Sequence, residues 1–68
     1  MTDIRSRLGK KIKKIRQQKK MSQETLAFDS NLHRTYISDV ERGVRNISII
    51  NIEKIAKALN VSLKQLMP

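Results

Sequence analysis

The chain has 68 residues, with fifteen Lys or Arg against six Asp or Glu, and a formal net charge of +9. That length supplies one hydrophobic core and predicts a single domain over residues 1–68. The absence of cysteine excludes disulfides and thiolate metal sites. Charges interrupt the N-terminal region too often for a secretory leader, and no apolar run approaches the ~20 residues of a membrane span. A soluble, cytoplasmic protein with no membrane partner is expected. The positive excess points to a polyanionic partner, nucleic acid first, with a basic surface kept for solubility as the alternative.

The spacing predicts five helices and no strands. The first runs from about Asp3 to Lys19, with Ile4, Leu8, Ile12 and Ile15 as its apolar stripe and basic residues over nearly all the rest. The second runs from about Gln23 to Asp29 behind Ser22 as N-cap. It has no reciprocal capping box, because Thr25 stands where Glu or Gln is needed. A break at Ser30 and Asn31 precedes a third helix from about Arg34 to Arg42, which Gly43 ends. Ser48 caps a fourth helix carrying Ile49, Ile52, Ile55, Ala56 and Leu59, and Asn60 stops it. Ser62 with Gln65 forms a capping box for a short fifth helix carrying Leu63, Leu66 and Met67.

Residues 23 to 42 are the most informative. Two short helices meeting across a tight turn need a small side chain at their approach and a turn residue that tolerates positive φ. Ala27 and Asn31 meet those needs, and Leu26, Leu32, Ile37 and Val40 fall at inward positions. At 100° per residue, Ile37 and Val40 set the core side of the third helix. Thr35, Ser38, Asp39 and Arg42 then lie opposite, with Arg34 at the exposed start. In a helix-turn-helix the start of the second helix meets base edges in the major groove. Arg34 suits bidentate pairing with guanine, Thr35 a thymine methyl, and Asp39 the cytosine amino group.

Residues 12 to 67 resemble the phage-repressor-type helix-turn-helix domain, the Cro or XRE family. The resemblance rests on Ile15-Arg16, Met21-Ser22-Gln23-Glu24, Leu26-Ala27, Tyr36-Ile37-Ser38, Val40-Glu41-Arg42-Gly43, Ile55-Ala56-Lys57-Ala58-Leu59 and Val61-Ser62. Within the family, residues 33 to 46 look most like the controller proteins of restriction–modification systems. Asn31 departs from the family's frequent Gly, and Ile47 from its frequent Pro. The resemblance implies an all-α, five-helix, lambda-repressor-like domain that binds double-stranded DNA as a homodimer on a palindromic operator. It implies base reading by Arg34, Thr35 and Arg45, with Ser38 and Asp39 on the same face. It implies phosphate or positioning contacts from Gln23, Tyr36, Asn46 and Ser48, to which exposed Arg42 is added, and an ion pair between Arg16 and Glu41. A phage repressor or antitoxin with the same reading head, and a protein-interaction module using the fold without DNA, are the alternatives.

Nine of the fifteen basic residues lie between Arg5 and Lys20. Lys10, Lys11, Lys13 and Lys14 are read as a solvated face adding long-range attraction. His33 has no second histidine or cysteine with which to build a metal or nucleophilic site, so neither an enzyme nor a cofactor or metal is expected. Ile47, Ile49, Ile50, Val61, Leu66 and Met67 exceed the evident needs of the core and are assigned to an isologous dimer patch. No small-molecule effector is expected, so control falls to protein concentration.

Overall fold

Five helices follow in chain order: α1 (Ile4–Gln18), α2 (Gln23–Ser30), α3 (Arg34–Glu41), α4 (Ile49–Leu59) and α5 (Leu63–Leu66). They are seen in a computed structural model that describes residues 3–68; residues 1 and 2, part of the domain expected over 1–68, lie outside the described residues.

Each helix starts where a side chain can take up its orphan N–H groups, except α3. The Asp3 carboxylate accepts from the Arg5 N–H at 2.7 Å, Ser22 from Thr25 at 3.0 Å and Ser48 from Asn51 at 3.1 Å. Ser62 accepts from the Gln65 N–H while Gln65 Oε1 accepts from the Ser62 N–H, which closes the expected capping box. At α2, Thr25 answers Ser22 with a hydroxyl–hydroxyl contact of 3.0 Å instead. The Arg5 side chain also bonds Asp3 and holds its carboxyl below the usual value.

The stops share one geometry. Lys20, Asn31, Gly43 and Asn60 all take positive φ, between 56° and 75°. At each, the next residue's N–H reaches back five positions to a helical carbonyl: Met21 to Arg16, Leu32 to Ala27, Val44 to Asp39 and Val61 to Ala56. This pattern satisfies carbonyls that the helix leaves open. Asn31, Gly43 and Asn60 are the expected stops. Lys20 is a fourth, held left-handed although it is neither Gly nor Asn.

The helical stripes converge on a core of Leu8, Ile12, Leu26, Ala27, Ile37, Val40, Ile52, Ile55, Ala56, Leu59 and Leu66. α3 is held between α1 and α2, α4 lies against α2, and α5 bridges α4 and α1. Several expectations are corrected. Ile4 is 59% exposed, because the first turn of α1 projects past the layer that covers Leu8 and Ile12. Ser30 is helical and buried, its hydroxyl donating to Leu26 O at 2.6 Å, so the break falls on Asn31 alone. Arg42 is the C-cap of α3 and not its last helical residue. Leu66 is fully buried in the core, so it is not available to a dimer patch.

Gly9 explains how α1 and α3 come so close. A Cβ at this position would press on Val40 O and stand 2.7 Å from Glu41 O, both backbone atoms at the end of α3. Helix propensity alone favours Ala over Gly by about 0.5–1 kcal/mol. The contact reverses that sign. Gly9→Ala is expected to destabilise the fold by about 1–3 kcal/mol, the usual cost of overpacking, as read by urea or thermal denaturation.

Candidate nucleic-acid interface

The turn between α2 and α3 is built locally. Asn31 supplies the left-handed residue, the Leu32 N–H closes on Ala27 O at 2.9 Å, and Leu32 packs partly buried against the core. Ala27 is buried at the approach of the two helices. α3 then begins at His33 with extended backbone and no side-chain cap, which leaves its first N–H groups to solvent or a bound acceptor.

Arg34, Thr35 and Arg42 are exposed along α3, while Ser38 and Asp39 are half-buried. Arg34 forms no ion pair among the described residues. Asp39 is different from the expectation. Its Oδ1 meets Arg42 Nη2 at 2.6 Å and its Oδ2 lies 3.5 Å from Arg45 Nη1. Both carboxylate oxygens therefore face guanidinium groups, which compete with a cytosine amino group for their lone pairs. Arg42 and Arg45 are correspondingly held instead of loose.

Arg45 also lies over the Tyr36 ring, 4.6 Å from its centroid. The Tyr36 hydroxyl accepts from Asn51 Nδ2 at 3.0 Å. Asn46 and Ser48 are exposed beside this group, and the Ser48 oxygen is already used as the α4 cap. Asn51 is absent from the sequence-derived set. Its one signal is position, a lone polar side chain among Ile49, Ile50 and Ile52 at the start of a helix.

The expected ion pair is present and mostly removed from water. Arg16 Nε meets Glu41 Oε2 at 2.7 Å and Arg16 Nη2 meets Oε1 at 3.1 Å, with the two residues 8% and 7% exposed. Arg16 Nη1 donates to Met21 O at 2.8 Å, and Gln23 Nε2 donates to Glu41 Oε1 at 3.1 Å. Gln23 was assigned to phosphate from sequence, but this amide bond turns it towards Glu41. It joins the start of α2 to the ends of α1 and α3.

The apolar surface is distributed over more than one place. Ile49 and Ile50 are 60% and 66% exposed at the start of α4, with exposed Val44 before them, and Met67 is exposed after α5. Ile47 and Val61 are half-buried against the core. Phe28, 86% exposed on α2, escaped the sequence reading because an isolated aromatic on a short helix gives no periodic signal. Among the described residues no cluster of metal-binding side chains occurs, and no helix is long and apolar enough to cross a membrane.

Residues 12–66 match a family described as helix-turn-helix. The chain is 59% identical over 66 residues to control protein C.BamHI of Bacillus amyloliquefaciens, covering 96% of this chain and 82% of that one. It is 46% identical over 67 residues to control protein C.MunI of a Mycoplasma species, covering 97% and 90%. The crystal structure of the restriction-modification controller protein C.AhdI from Aeromonas hydrophila superposes with a TM-score of 0.91 at 44% identity, covering 93% of this chain and 96% of that one.

Removing one member of the buried pair strands the other. Glu41→Ala is expected to cost about 3–5 kcal/mol, measured by chemical denaturation. An Arg16→Met, Glu41→Leu double substitution is expected to recover most of that loss, because no unpaired charge remains.

Proposed function

The chain belongs to the phage-repressor-type helix-turn-helix family, and on that footing we propose that it is a restriction–modification controller, reading a two-fold symmetric operator as a homodimer. The observation that carries this reading is Arg34, without an ion-pair partner among the described residues, beside exposed Thr35 at the start of α3, which has no side-chain cap, just past a turn that fixes the helix against α2. A guanidinium at that place offers the fork that guanine O6 and N7 accept, and a threonine offers a methyl and a hydroxyl to neighbouring bases. Arg45 adds a second reading cation, oriented by Asp39 and Tyr36. Half-buried Ser38 has a supporting place on the same face.

Phosphate contacts fall to Arg42, Asn46, Ser48 and the Tyr36 hydroxyl, with Gln23 contributing through the amide proton that Glu41 does not take. Such contacts set register and carry no sequence information. The +9 charge adds attraction that weakens steeply with salt. Ile49 and Ile50 are the exposed apolar residues that best support an isologous interface, with Ile47, Val61 and Met67 at its margins. Two copies of α3 then stand about 34 Å apart, one helical turn of duplex. The relatives named above are control proteins, one of them a restriction-modification controller, and the assignment of this chain to such a system rests on that likeness.

Selection from a random duplex library at near-physiological salt is expected to return a palindrome with half-sites about 10–11 base pairs apart. A bound pool without a consensus would overturn the reading. Arg34→Ala is expected to weaken binding to the selected duplex by about 1–3 kcal/mol and to relax one base position per half-site. Ile50→Glu is expected to shift the protein to monomer in sedimentation velocity and to weaken operator binding, leaving the helical circular dichroism unchanged.

A further inference from the structure

Tyr36 is held from two directions. Its ring packs against the core below and carries the Arg45 guanidinium above, while its hydroxyl oxygen accepts the Asn51 amide. A phenolic group has one proton to donate and lone pairs to accept with. With Asn51 Nδ2 occupying the acceptor side at 3.0 Å, the hydroxyl proton has to point elsewhere, and among the described residues nothing accepts it. Tyr36, Arg45 and Asn51 share a shallow concavity with His33 and Thr35, at the exposed start of α3.

Asn51 is itself well placed for this. It is the third residue of α4, and its backbone N–H is tied to the Ser48 cap, so its Cα cannot drift. α3 and α4 share few contacts, and the Asn51–Tyr36 bond is the one hydrogen bond between them among the described residues. We propose that Asn51 is a positioning residue for DNA binding: by donating to the Tyr36 oxygen it turns the hydroxyl proton outwards, as a directed donor to a backbone phosphate. The inference rests on the DNA-binding reading above and adds a residue that touches no DNA itself. A phosphate only accepts, so a tyrosine whose proton were taken by its own protein would meet it oxygen to oxygen.

The test is a double-mutant cycle on the full chain, with two probes: the duplex selected by the wild-type protein and an unrelated duplex of equal length. Tyr36→Phe is expected to weaken binding about tenfold or more on both, the scale of one hydrogen bond to a charged acceptor. Asn51→Leu, of similar size, is expected to cause a similar loss, and the double variant no more than either alone. Asn51→Asp keeps the shape but accepts the proton, and is expected to bind more weakly than Asn51→Leu. The thermal midpoint of Asn51→Leu should stay near that of the wild type, because Asn51 is half-buried and its cap is a backbone bond. Tyr36 is the only tyrosine and there is no tryptophan, so intrinsic fluorescence of the free protein reports whether its surroundings change in each variant. Wild-type affinity in Asn51→Leu, or losses that multiply to about 100-fold or more in the double variant, would overturn the positioning role while leaving the regulator reading intact. Failure of the wild-type chain to bind either duplex would overturn both.

Discussion

A guanidinium and a carboxylate taken out of water have to find each other, and Arg16 and Glu41 do so only when the end of α1 crosses the end of α3. The pair is bidentate, and the spare groups are also used: Arg16 reaches Met21 O, and Gln23 reaches Glu41. One cluster therefore joins the close of α1, the opening of α2 and the close of α3. The same crossing requires Gly9, whose missing Cβ lets α1 settle onto the terminal carbonyls of α3. The reading helix is thus located by a charge pair and a steric gap at its far end, which leaves its near end open to solvent.

That near end is set by the turn. Asn31 in left-handed geometry reverses the chain, the Leu32 N–H takes up the Ala27 carbonyl in the last turn of α2, the Ser30 hydroxyl donates to Leu26 O, and Leu32 seals the corner against the core. Nothing caps His33. An N-terminus whose N–H groups are unmet, with Arg34 and Thr35 projecting beside it, presents donors outwards in a fixed frame. Rigidity behind and unmet polarity in front suit a helix that would, on the proposed reading, exchange water for base edges.

Charge along this face is graded. Arg34 has no ion-pair partner among the described residues, whereas Arg42 and Arg45 are both drawn to Asp39, and Arg45 also rests on Tyr36. An acidic residue in a basic interface looks costly until its partners are seen. Asp39 restricts two long side chains in the free protein, so less conformational freedom is lost when they meet a ligand. The lysines of α1 are exposed away from this arrangement and are fitted to long-range attraction.

The helices, their caps and the turn were legible in the sequence because each depends on residues within about five positions of one another. Ser22, Ser48 and Ser62 start helices, Asn31, Gly43 and Asn60 end them, and Leu26, Ala27, Ile37 and Val40 turn inwards as their spacing requires. The family was legible for the same reason, since its pattern is made of those local demands. Contacts between distant residues were not, save the Arg16–Glu41 pair that came with the family resemblance. Lys20 is left-handed because the chain must turn back at that point, and no local preference announces it. Gly9 could be read as a weak helix residue until α3 was laid across it. Asp39 faces outwards on a wheel, yet it pairs with Arg42 one turn further along the chain and with Arg45 just beyond, while Gln23, a phosphate contact by resemblance, gives an amide proton to Glu41, which only the fold brings near. Leu66 and Ile4 exchanged expectations because periodicity gives a face and not the depth at which neighbours cover it. The sequence by itself determined which segments are helical, nearly where they start and stop, and which face of α3 is turned to solvent, all through short-range hydrogen bonding and apolar period. Tertiary structure decided which polar groups are paired between elements, as at Gln23 with Glu41 and Tyr36 with Asn51, because those partners lie far apart in the chain.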